Sequence, residues 1–72
     1  MTPNEYLCAA GAALYGARWQ TALADALAVN PRTVRRWAVG DAPVPPGIWA
    51  ELRPRLADRL KMLDAELARL AG

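Results

Sequence analysis

Residues 20–37, QTALADALAVNPRTVRRW, hold two amphipathic patterns separated by an abrupt break. In the first, Leu23, Ala24 and Leu27 recur at the three- and four-residue spacing of one helix face, while Gln20 and Asp25 take the other. The residues AVN then interrupt the pattern. The second begins at an Asn-Pro pair, with Asn30 as N-cap and Pro31 as the first helical residue. Gly40 closes it, since glycine suits the position just past a helix C-terminus. The spacing therefore predicts helices over about 19–27 and 31–39. On a wheel of about 100° per residue, Arg32, Arg35 and Arg36 fall within one arc of about 100°. Val34, Trp37 and Ala38 fall in a similar arc on the opposite side. The second helix thus has an apolar back and an arginine front.

The rest of the chain reads as helix on either side of this pair. Thr2, Pro3 and Glu5 form a helix start with a capping box, and the helix is predicted to run to about Tyr15, with Gly16 as its stop. Leu7, Leu14 and Cys8 are available for its core face. DAPVPP, residues 41–46, is a stiff extended connector, because the residue before each proline is pushed out of the helical region. A last helix is predicted from about Pro46 to Leu70, with Pro54 expected to kink or split it. No strand-length alternation and no repeat is present. The expected architecture is all-α: a small bundle of four to five helices, one domain over residues 1–72, with the pair at 19–39 at its centre.

Composition narrows the function. The chain has no histidine and one cysteine, Cys8. That removes histidine general-base chemistry, Cys/His nucleophile pairs, the common zinc sites and any internal disulfide. No enzyme, metal, cofactor or small-molecule ligand is expected. A lone thiol suits a reducing cytoplasm. No apolar run is long enough for a membrane span, and no secretory signal pattern opens the sequence. The net charge is +2, but residues 30–40 alone carry +3 and no acid, against −1 for residues 1–29 and zero for residues 41–72. Positive charge gathered on one helix face points to an anionic partner, with nucleic acid first. A solvated charged face is the plainer alternative. Arginine offers a planar fork of donors that fits phosphate oxygens, or the O6 and N7 of guanine.

The stretch 20–37 resembles the helix-turn-helix of the phage-repressor and Cro-type DNA-binding family. The match is carried by Gln20 at the start, the small Ala24 where the two helices meet, and apolar Leu23, Leu27, Val29, Val34 and Trp37. Trp37 followed by Gly40 resembles the family's ending of its recognition helix. Two positions depart from the pattern. Ala28 stands where the family usually has glycine, which implies a turn strained by about 1 kcal/mol. Pro31 stands where relatives often carry a base-reading polar residue. The resemblance implies that the second helix enters the major groove, with Arg32 and Arg35 or Arg36 at base edges. It also implies capping or phosphate roles for Asn30 and Thr33, and backbone contacts from Gln20 with Arg18 beside it. It implies a nucleoid-associated bacterial regulator.

Leu56, Leu60, Leu63, Leu67 and Leu70 follow one another at alternating steps of four and three, a heptad seam. The seam either packs on the first helix of the same chain or pairs with a second copy. From Leu56 to Leu70 the rise is about 21 Å, which a domain this small has trouble covering, so a homodimer is expected. Arg59 can meet Asp64 of a parallel partner or Glu66 of an antiparallel one. Trp19, Trp37 and Trp49 are expected in core packing rather than as a stacking platform for single strands. The sequence thus leads to a homodimeric, sequence-specific binder of double-stranded DNA at an inverted-repeat operator, most simply a repressor. The rival reading is a protein-interaction module, antitoxin-like or an adaptor, that works through the leucine seam.

Overall fold

The computed structural model describes all residues, Met1–Gly72. The chain is all-helical, as expected, with no strand. In chain order come α1 (Pro3–Tyr15), a 3-10 turn (Gly16–Arg18), α2 (Trp19–Leu27), α3 (Pro31–Val39) and α4 (Pro46–Ala71). The 3-10 turn lies just past the first helix, where the sequence suggested only a stop at Gly16.

Local chemistry explains the boundaries. The Glu5 carboxylate accepts from the Thr2 amide at 3.2 Å while the Thr2 side chain accepts from the Glu5 amide, the capping box of α1, and the Thr2 hydroxyl also donates to that carboxylate at 2.8 Å. These bonds hold the Glu5 carboxyl below the usual carboxylate range, the hydroxyl contributing most. Asn30 caps α3 by accepting from the Arg32 amide at 2.8 Å. Gly40 ends α3 at φ 84°, a left-handed conformation that glycine adopts without steric cost. α4 passes through Pro54 as one continuous helix of 26 residues. Pro54 is not a donor to the Ala50 carbonyl. One residue on, the Arg55 guanidinium folds back to the Glu51 carbonyl at 2.8 Å and to the Glu51 carboxylate at 3.1 Å.

The core is thin, and its members come mostly from the first three helices. Leu7, Trp19, Leu23, Ala24, Val34, Trp37 and Ala38 are buried, and α4 adds only Leu52. Val29, at the turn between α2 and α3, packs against this core and donates its amide to the Ala24 carbonyl at 3.0 Å. α1 crosses α2 closely because Gly11 faces Trp19. A Cβ at Gly11 would lie 2.1 Å from Cε3 of that indole, so no larger residue fits without a shift. Trp49 is half-buried against the core.

The distal half of α4 leaves the bundle. Leu56 is half-buried, and residues 57–72 are exposed throughout. Leu60, Leu67 and Leu70 are 70%, 65% and 78% exposed. The molecule is accordingly elongated, at 46 × 23 × 19 Å. No helix is long and apolar enough to cross a membrane.

Candidate nucleic-acid interface

The candidate surface is built on α3, a helix of nine residues, too short to hold its shape alone in water. Its back supplies that stability. Val34 is fully buried, Trp37 is 5% exposed and Ala38 is buried beside them. Its C-terminal carbonyls are also tied down. The Arg36 carbonyl accepts from the Asp41 amide at 2.9 Å and the Ala42 amide at 3.3 Å. The Ala38 carbonyl accepts from Asn4 Nδ2 at 3.4 Å and from the Cys8 thiol at 3.7 Å, so α1 grips the end of α3. The reach of Asn4 and Cys8 to α3 is invisible in the local pattern of α1.

On the front, Arg32, Arg35 and Arg36 are all exposed. None of their guanidinium groups is engaged within the chain. The two ion pairs, Arg55 with Glu51 and Arg69 with Glu66, both lie on α4. Three unpaired guanidinium groups within one arc repel one another in the free protein, and an anion laid across them relieves that repulsion.

The other positions singled out from sequence divide by environment. Arg18 is exposed and Gln20 half-buried at the first turn of α2. With Ala17 and Thr21 they line a shallow depression of about 390 Å³. No side chain caps α2, which follows directly on the 3-10 turn that ends at Arg18. Asn30 is exposed, with its Oδ1 committed to the α3 cap and its amide nitrogen left over. Thr33 is half-buried at the flank of the arginine face. Pro31 is exposed at the N-terminus of α3 and offers no polar side-chain atom.

The turn that joins α2 to α3 carries the strain implied by the missing glycine. Ala28 sits at φ 56° and ψ 41°, the one non-glycine residue with positive φ. The left-handed conformation costs an L-residue roughly 1–2 kcal/mol. Burial of Leu23, Ala24 and Val34 on either side holds it in place.

Sequence reasoning missed Arg55. Its Nη2 donates to the Ala26 carbonyl at 3.3 Å, while Nη1 is held on Glu51. The side chain ties α4 to the C-terminal end of α2, one residue before Leu56. Only the fold brings residues 26 and 55 together, and no local pattern signals that pair. The chain matches no family model, no curated protein and no solved structure.

Proposed function

We propose that this chain binds double-stranded DNA sequence-specifically as a homodimer, acting as a small transcriptional regulator, most simply a repressor. The observation that carries the reading is the front of α3. Three exposed, unengaged arginines stand on a helix whose opposite face is buried. A helix held rigidly from behind presents side chains to the major groove with little further ordering cost. Arg32 lies in the first turn of α3, where a recognition helix meets base edges, and Arg35 and Arg36 extend the same arc. Gln20 and Arg18 at the start of α2 serve as phosphate contacts, which set register rather than specificity. Thr33 and the remaining amide donor of Asn30 flank them.

The dimer part of the reading rests on the exposed leucines of α4. Two copies paired there, related by a two-fold axis, give two recognition helices and an inverted-repeat operator with half-sites about one helical turn apart. A domain that occupies an operator needs no cofactor, and the reading assigns none.

The test is duplex binding across a salt series, followed by fluorescence anisotropy. Each phosphate neutralised contributes a slope of about −0.9 to log K against log salt concentration. A steep slope, with selected sequences preferred over random duplex, is expected. No duplex binding at low salt, or a flat slope, overturns the reading. One observation favours a second reading: the same exposed leucines suit an amphipathic helix of another protein. In that case the arginine face is inert, and partner capture is insensitive to salt.

A further inference from the structure

Beside the base of the leucine seam lies an apolar groove of about 430 Å³ between α1 and α4. Pro3, Tyr6 and Ala10 of α1 line one wall, and Trp49, Leu52 and Leu56 of α4 the other. Tyr6 is 55% exposed, and Arg53 completes the lining. Leu56 belongs to both groove and seam, so the two apolar surfaces are continuous. We propose that this groove receives the α4 C-terminal turn of a second copy, so that the dimer pairs α4 with α4 antiparallel. The inference rests on the homodimer reading above and assigns its orientation and its register.

Three observations select this occupant. The first is position. Let the helices run antiparallel with Leu60 level with the partner's Leu63. Leu56 then stands level with the partner's Leu67, and the partner's Leu70 falls level with Arg53 of the groove lining. Leu56, Leu60, Leu63 and Leu67 each face a leucine of the other copy, and Leu70 reaches the groove. The second is obstruction. α1 and Leu56 share one face of α4, as the groove lining shows. In a parallel pair the two α1 helices would stand between the two α4 helices at the same level. In the antiparallel pair each α1 meets only the tapering end of its partner.

The third is charge. Arg53, Arg55, Arg59 and Lys61 against Asp58 give residues 53–61 a net +3, while Asp64 and Glu66 against Arg69 give residues 62–70, the stretch opposite in this register, a net −1. Antiparallel pairing lays each acidic block over the basic block of the other copy, with Arg59 near the partner's Glu66. Parallel pairing stacks like on like, apart from Arg59 with the partner's Asp64. The pairing also separates the two bundles. Trp49 of the two copies would stand about 37 Å apart along the helix pair, at 1.5 Å per residue.

The test measures the dimer Kd by sedimentation equilibrium for the full chain, Tyr6→Arg, Leu70→Glu, Leu63→Glu and the Tyr6→Arg/Leu70→Glu double variant. Tyr6 and Leu70 are exposed, so both single variants keep the fold. Circular dichroism checks this. Tyr6→Arg and Leu70→Glu should each raise Kd about tenfold or more, and the double variant should be little worse than either, because both remove one contact. In a Cys8→Ala background, Leu70→Cys should not form an interchain disulfide on mild oxidation, since the two sulfurs lie far apart. Ready formation of that disulfide, or an unchanged Kd for Tyr6→Arg while Leu63→Glu still gives monomers, overturns the antiparallel groove model and leaves the dimer standing. A wild type that stays monomeric at high micromolar concentration overturns both. Half-site binding by the Leu63→Glu monomer reports separately on the DNA reading.

Discussion

α3 and the distal half of α4 carry the same kind of signal, an apolar stripe at helical spacing with charges opposite. Their fates differ. The stripe of α3 is buried within its own chain, through Val34, Trp37 and Ala38. The stripe of α4 is buried only as far as Leu52 and half-buried at Leu56, and beyond that point the leucines face solvent. Periodicity says which face of a helix is apolar. It does not say which surface will cover that face, because that depends on how far the rest of the chain reaches. Here α1 ends its contact with α4 near Leu56, and the remaining turns outrun the bundle.

The sharpest way to break this contrast is to cut each stripe in turn. Trp37→Ala removes a buried indole from the back of α3 and should cost about 3–5 kcal/mol, enough to unfold so small a domain. Leu63→Ala, on the open stripe, should move the monomer's stability by no more than about 0.5 kcal/mol. Thermal melts at low micromolar concentration compare the two. Equal losses would mean that α4 folds back onto the core in solution.

The front of α3 gives the next effect. Arg35→Ala and Arg36→Ala should each weaken specific duplex binding by about 1–3 kcal/mol, the worth of a bidentate arginine–guanine contact, and leave helicity intact. Anisotropy titration at moderate salt reads this. Wild-type affinity in the double variant would mean that the arginine face is only solvated surface. Smaller still is Ala28→Gly at the turn. Relief of the left-handed strain, less the entropy lost by a freer unfolded glycine, should stabilise the chain by about 0.5–1 kcal/mol, seen as a higher Tm.

The smallest effect is at Glu5. Its carboxyl is lowered by the bonds from Thr2, so its folded value lies below its unfolded one. Its contribution is complete above the unfolded value and is lost as pH falls through the folded one. Acid titrations of wild type and Glu5→Gln should therefore diverge at neutral pH and converge in acid. A difference that persists unchanged into acid would mean that the capping box acts without the charge.

Much of the helical layout could be read locally, because its signals are local. The Asn30-Pro31 pair, Gly40 and the Thr2–Glu5 box each act within one turn of themselves. The outward arc of Arg32, Arg35 and Arg36 followed from the wheel, and so did the buried back. What could not be read depends on distant partners. Gly11 looks like an ordinary weak point in a helix until Trp19 is seen against it. Arg55 looks like one more charge on α4 until the Ala26 carbonyl is seen within its reach. Pro54 looked able to break α4, and the helix continues through it with Arg55 folded back onto the preceding turn.

The unsupported turns of α4 also bear on how the proposed pairing would respond to protein abundance. Residues 57–72 are held helical chiefly by propagation from the folded end, with the exposed Arg69–Glu66 pair as an added tie, since nothing packs on them. Such a segment opens locally at little free-energy cost while the bundle stays shut. Its order is therefore tied to association by mass action. In the proposed dimer, scarce copies leave the tail exchanging its amides almost as a free peptide helix does, and abundant copies freeze it by pairing. Under the proposed homodimer, the amount of helix past Leu56 becomes a running measure of protein concentration.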